Sequence, residues 1–450
     1  MQEEKDLEVH RAIDLALRIG EVVLSSGAGA ADVAATTLAV TNACGLRGCT
    51  VDVSFTTITV SYQPDTDRWA ETMMRTVTYR GLDYGALSDV DQLVRALNLG
   101  RMNRAQASQR LNEIRSAPRR YPRWVASIAT GLMAVGVGML LQGDLLLVTV
   151  AFVTAVVIDL TGRQLARRRI PAFYQQVLGA LIATGVALGL YELDVPVSPS
   201  LIVAAGIIVL LAGVTLVGAV QDALTGYFVT ASARTFEALL LTGGIIAGVS
   251  LGLTVGLRLG VDLPLQVRAP SELSDLPLAL TGGTLVAVAF AVTCYAPRRA
   301  LLPVAVIGLA GQAVYVPMLT ADLGVAWAST VAAIVIGVAS YSLAGRVRVP
   351  PLVVIVSGIV GLLPGLTIYR GLFQLLTQND LTGLFSLLAA VSVGVGLASG
   401  VILGEYVAQP LKREARRLEN RLSGPRLVGP LQPHRRRRRT ARPSAGADPE

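Results

Sequence analysis

The sequence predicts a polytopic α-helical membrane protein, with about ten transmembrane helices arranged as an inverted 5+5 repeat behind a small α/β domain. Three observations predict it. Of 450 residues, 52% are hydrophobic and only 16% charged, with a mean hydropathy of +0.57, whereas a soluble domain carries about a quarter charged residues. Apolar runs of about 20 residues, each long enough to cross a bilayer, recur from residue 124 to residue 406. The motif LL-x-G-x-T occurs twice, at 210–215 and at 362–367.

Residues 1–118 read as the α/β domain. Ile13, Ala16, Leu17, Gly20, Val23 and Leu24 recur at helical spacing, and SSGAGA at 25–30 ends that helix. A second helical pattern runs from Ala31 to about Ala43. CTVDVSFTTITVSY at 49–62 is rich in β-branched residues in partial alternation and reads as two strands. DTD at 65–67 is loop, Thr72–Tyr79 a third strand, and Asp89–Leu99 and Asn103–Arg115 two polar helices. The first twenty residues are charged and amphipathic, unlike a secretory leader, so this domain is expected on the side of synthesis.

APRRYPR at 117–123 leads into the membrane. Ten spans are read, at 124–142, 145–160, 175–191, 201–220, 236–257, 277–295, 300–318, 325–343, 351–376 and 384–406. The first five-helix repeat is thus 119–260, an extracytoplasmic loop 261–275, and the second repeat 276–408. Arg119, Arg120 and Arg123 precede the first span, and Arg163 with Arg167–Arg169 follows the second. Arg234 follows the fourth, Arg298 and Arg299 the sixth, Arg346 and Arg348 the eighth. The positive-inside rule puts all of these loops, and both termini, in the cytoplasm.

The tail, 409–450, reads as disordered and basic: twelve Lys/Arg against four Asp/Glu lie beyond Gln409, the whole of the +8 net charge. No aromatic is interleaved there for base stacking, so anionic lipid rather than nucleic acid is its expected partner. Cys44 and Cys49 stand far in sequence from Cys294, and neither His10 nor His434 lies near the C-x4-C pair. Free thiols are expected, with no metal and no cofactor. GVSLG at 248–252 matches a nucleophile-elbow pattern but sits mid-span without strand context. No Walker A sequence occurs.

The repeat carries the functional expectation. The two LL-x-G-x-T copies are 152 residues apart, and glycines at 244, 248, 252, 256 and 260 are echoed at 396, 400 and 404. The fourth and fifth spans therefore resemble the ninth and tenth. Five spans is an odd number, so the second copy must run opposite to the first, the arrangement common in secondary transporters. Glycine every fourth residue lets two helix backbones approach closely. In the ninth span Pro364 and Gly365 break the helix, and broken membrane helices are tolerated where they face protein or a wet cavity. The fourth span has Ala212-Gly213 at that position, so the break is expected in the ninth alone. Gly213, Thr215, Pro364, Gly365 and Thr367 are the expected substrate-binding residues, with hydroxyls and helix ends offered to a small zwitterion. Arg370 belongs to the same site or its gate, or else pairs structurally or snorkels to the outer surface. Proton coupling, with no histidine near a span, falls to carboxylates: Asp159, four residues before Arg163, and Asp222.

ALRIGEVVLSSGAGAADV (16–33), GLRGCTVDVSFTTITVSY (45–62), VVIDLTGR (156–163), DALTGYFVTASAR (222–234) and LLPGLTIYRG (362–371) together resemble the threonine/serine exporter family of bacteria. The resemblance covers roughly residues 7–408. It implies a multi-pass inner-membrane protein, a cytosolic N-terminal domain, ten spans, and export of threonine and serine driven by the proton motive force. Some relatives of that kind are split into two chains between the fifth and sixth spans. On the residues alone, a membrane-anchored enzyme with its chemistry in 1–118 and a passive amino-acid channel stay open, as does a homo-oligomer.

Overall fold

The structure is a computed structural model that describes residues 2–258 and 273–408, apart from Thr66, Tyr79, Arg80, Val197, Val209, Leu211, Ala212, Gly365, Leu366, Tyr369, Leu372, Phe373 and 376–379. The tail and most of the 261–275 loop, with Ala212, Gly260 and Gly365, lie outside the described residues.

The N-terminal unit opens with α1 (Gln2–Ser25) and α2 (Ala30–Ala43). Ile13, Ala16, Leu17 and Leu24 of α1 and Val33 and Val40 of α2 are buried against each other and the sheet. The chain turns between them through Gly27, at φ +93°, where a Cβ would strike Leu82. Three antiparallel strands come next in the order β1 (Thr50–Ser54), β2 (Thr57–Tyr62), β3 (Glu71–Thr76), with Val53 opposite Ile58 and Val60 opposite Met73. Val53, Ile58 and Val60 bury the inner face. The β1–β2 turn holds Phe55 at φ +47°, a backbone that L side chains rarely adopt. Helices α3 (Tyr84–Asn98) and α4 (Arg104–Ser116) complete the unit. The first starts five residues before the sequence expectation because Asp83 caps it, accepting from Ala86 N at 2.9 Å. The second starts on an Asn103–Gln106 capping box.

Beyond residue 122 the chain is helical: α5 (Arg123–Leu140), α6 (Leu145–Arg167), α7 (Ala172–Glu192), α8 (Pro199–Ile208), α9 (Gly213–Leu224), α10 (Phe228–Arg258), α11 (Leu276–Thr293), α12 (Arg298–Thr320), α13 (Val325–Val347), α14 (Pro351–Ile359) and α15 (Thr382–Ala408). Among the described residues, eight of these are long and apolar enough to cross a membrane; α8, α9 and α14 are shorter. Large apolar side chains such as Val153, Leu160, Leu302 and Phe385 point outward, as a lipid-facing surface requires. The protein is a multi-pass helical membrane protein.

The expected fourth span is two helices. Alpha-helical bonding stops where Leu210 N turns back to Ile207 O, and α9 begins at Gly213. The interruption expected only in the ninth run thus has a counterpart in the fourth, where Leu210 stands in an i→i+3 turn with no proline near it. In the ninth run α14 tightens into a 3-10 turn at Val360–Leu362, Leu363 is extended, and Pro364 comes next.

Glycine ridges set the packing. Gly244, Gly248, Gly252 and Gly256 of α10 lie on Phe173, Val177, Thr184 and Leu188 of α7, so these helices run parallel. Gly396, Gly400 and Gly404 of α15 lie on Thr330 and Ile334 of α13, again parallel. Gly136, near the end of α5, meets Gly282, near the start of α11: a Cβ on either would stand 2.7–2.8 Å from the other's carbonyl oxygen. Helices α5 and α11 therefore run in opposite directions.

Candidate functional site

The site grows from the α9–α10 turn. Asp222, near the end of α9, is 1% exposed, and Arg234, two turns into α10, is 6% exposed. Gly226, at φ +92°, reverses the chain between them and lets Arg234 Nη1 reach Asp222 Oδ2 at 2.8 Å. Isolated charges buried this deeply are costly, so the pair is complemented from the N-terminal unit. Ala30 N, at the start of α2, donates to Asp222 Oδ1 at 2.8 Å, and Arg234 Nη2 donates to Ala28 O at 3.1 Å. The carboxylate thus meets the positive end of the α2 dipole. Four residues before Arg234, Thr230 accepts from Phe55 N at 2.9 Å and donates to Val53 O at 3.2 Å.

A cavity of about 210 Å³ lies beside this cluster. Thr215, Gly218 and Gln221 line it from α9, with Arg234 and Glu237 from α10. Leu352, Val356 and Ile359 present one apolar face of α14 to it. The remaining wall is the N-terminal unit, from the Ser25–Gly29 turn to Gly81 and Tyr84. Hydroxyl, amide, carboxylate and guanidinium groups facing an apolar helix suit a small polar molecule with charges of both signs.

The sequence-expected residues fall at several places. Gly213 is the first residue of α9, and a Cβ there would stand 3.0 Å from Leu363 Cβ, so the two interrupted runs touch at their interruptions. Thr215, two residues on, lines the cavity. Pro364 is buried, and its carbonyl accepts from Ile368 N at 3.0 Å. Thr367 and Arg370 are half-buried in helical backbone beyond it. None of Pro364, Thr367 and Arg370 lines this cavity, and Gly365 lies outside the described residues. Asp159 binds Arg163 at 2.8 Å on α6, and Arg163 also donates to Arg123 O at 2.7 Å, which clamps α6 to the start of α5, away from the cavity.

Sequence reasoning passed over Arg234 as a topology marker, counted Glu237 among the carboxylates near spans without choosing it, and left out Gln221. A signal existed for the first: Asp222 and Arg234 are the two charges that flank one short turn between apolar runs. Gln312 was also missed. It is a 4% exposed amide within α12, packed on Gly283 and Gly361 beside the 3-10 turn.

Comparison with known proteins bears on this geometry. A family model described as "Putative threonine/serine exporter" matches residues 14–256, and a second, "Threonine/Serine exporter, ThrE", matches 280–407. The chain belongs to the threonine/serine exporter family. The two family models part between α10 and α11. A Mycobacterium tuberculosis protein named "Probable threonine/serine exporter" is 39% identical over 430 residues, 93% of this chain and 81% of its own length. The "Threonine/serine exporter" of Corynebacterium glutamicum is 38% identical over 416 residues, 91% of this chain and 85% of its own. No solved structure matches this exporter-family chain.

Proposed function

We propose that the chain exports threonine and serine across a bacterial inner membrane, driven by the proton motive force, with both termini and the N-terminal unit in the cytoplasm. The names of the two relatives support the substrate. The observation that carries the mechanism is the meeting of two interrupted helices, Gly213 of α9 against Leu363 after α14, next to the polar cavity at Thr215. Interrupted helices in corresponding runs of two halves are how transporters build a midplane site.

An inverted repeat of ten spans fits the packing. Counting α8 with α9 as the fourth span, and α14 with the helical backbone beyond Pro364 as the ninth, the α7–α10 pair corresponds to α13–α15, and each pair is joined by a glycine ridge. Helices α5 and α11, the first of each set, run oppositely. In this reading Gly213, Thr215, Pro364, Gly365 and Thr367 form the substrate path, and Arg370 stands toward its outer end. Asp159 and Asp222, both arginine-paired carboxylates, are the residues through which protons couple.

Uptake of labelled threonine supplied outside inverted vesicles tests this. Accumulation is expected with a proton gradient and is expected to vanish when an uncoupler collapses it. Accumulation that survives the uncoupler removes the coupling; none under any condition removes the export.

A further inference from the structure

We propose that the N-terminal unit is the inner gate of the transport cavity, pivoting on α11 and latched to the α9–α10 turn by the Asp222–Arg234 pair. This rests on the exporter reading above. A substrate entering from the cytoplasm must pass the surface that the N-terminal unit now covers. The Ser25–Gly29 turn, Gly81 and Tyr84 are cavity wall, with Thr215 behind them.

The unit touches the membrane helices in two chemically different places. At α11 the contact is apolar and local, centred on Tyr84. Tyr84, fully buried, packs edge-on to Phe290 with ring centroids 6.3 Å apart, and Tyr84 N donates to Cys294 O at 2.8 Å. The buried apolar cluster that holds α1 and α3 also takes in α11, α12, α14 and Val217 of α9. The linker reinforces this side, since Arg119 reaches Tyr295 Oη at 3.1 Å and Arg120 bonds Asp89 at 2.5 Å. Separating these surfaces exposes oil to water.

At α9–α10 the contact adds a polar, hydrogen-bonded part beside Val217 and Tyr227. Four hydrogen bonds cross it: Ala30 N to Asp222, Arg234 to Ala28 O, Phe55 N to Thr230 and Thr230 to Val53 O. Three of the four partners in the N-terminal unit are turn or helix-end groups that water can replace. Both latch charges stay on the membrane side, paired with each other at 2.8 Å. Lifting the unit off therefore strands no single charge, which is the outcome that makes breaking a buried ion pair prohibitive. Phe55 meets the latch at φ +47°, and strained backbone of this kind concentrates at switch contacts. An exchangeable latch opposite an apolar pivot is the layout of a hinged closure.

The test is a reversible lock on the full chain in proteoliposomes. Phe55→Cys with Thr230→Cys places two thiols across the latch, in a background where Cys44, Cys49 and Cys294 are replaced by alanine. Oxidation is expected to cut threonine transport by about tenfold or more, because the open population is removed, and a reductant is expected to restore it. Undiminished transport with the disulfide formed overturns the gate. A second arm does not depend on transport: Thr215→Cys, added to the same protein, is labelled with a polar maleimide after oxidation. Labelling is expected to slow by about tenfold under the lock, for the same reason; an unchanged rate overturns the proposal. If the unsubstituted chain moves no threonine in the same proteoliposomes, the exporter reading fails, and the labelling arm still decides the gate.

Discussion

At the scale of single residues, the decisive feature is that Asp222 and Arg234 are buried together. Their exposures are 1% and 6%, and their stability contribution is asymmetric. Removing one partner leaves the other charge without compensation, which costs about 3–5 kcal/mol, whereas replacing both with apolar groups of similar size is close to neutral. Asp222→Ala is therefore expected to lower the heat-denaturation midpoint of the detergent-solubilised protein sharply. Asp222→Leu with Arg234→Met is expected to recover most of the loss. If the double variant is as unstable as the single, the pair is not the unit that holds this turn. The charges themselves were visible in the sequence, because so few occur between apolar runs. Their partnership was not, because it depends on a turn at Gly226 and on backbone groups of Ala28 and Ala30, nearly two hundred residues earlier in the chain.

At the scale of elements, periodicity spoke clearly where one face does one job. The glycine ridge of α10 and that of α15 were legible as four-residue spacing, and each packs a neighbouring helix backbone. The interruption of the fourth run was not legible. Proline announces a break by losing an amide hydrogen, but the turn at Ile207–Leu210 involves no proline and leaves no residue-type signature. Gln312 was hidden for a similar reason: one amide in a 23-residue helix looks incidental until Gly283 and Gly361 are found against it. The ridges yield a sharp contrast. A Cβ on Gly400 would stand 2.6 Å from Thr330 O, whereas one on Gly243 meets nothing within 4 Å. Gly400→Leu must push α15 off α13, and overpacking of this kind costs about 1–3 kcal/mol or more. It is expected to abolish threonine export from cells, while Gly243→Leu leaves it within about twofold, as surface changes do. Equal export from both variants would show that the α13–α15 contact is dispensable.

At the scale of the whole molecule, the chain divides where its two family models part, between residues 256 and 280. Each side carries its own glycine-ridged pair, α7–α10 before the division and α13–α15 after it. What joins the sides is not the connecting loop but buried surface. Gly136 against Gly282, Gly213 against Leu363, and Tyr84 against Phe290 all cross the division. Neither side can bury these faces alone, and in lipid close packing is the main force bringing helices together. Covalent continuity across 259–272 should then be a small term, because the entropy of tethering two segments changes only slowly with the length of chain between them. Two separately encoded chains, 1–264 and 265–450, are expected to co-purify from one membrane and to export threonine within about threefold of the intact protein, given that modest term. Either alone is expected to be degraded or inert, since the C-terminal end of α11 supplies Cys294 O and Phe290 to the N-terminal unit. Export by the first chain alone would mean that the ninth run takes no part in the path. The meeting of Gly213 with Leu363 would then be packing without function.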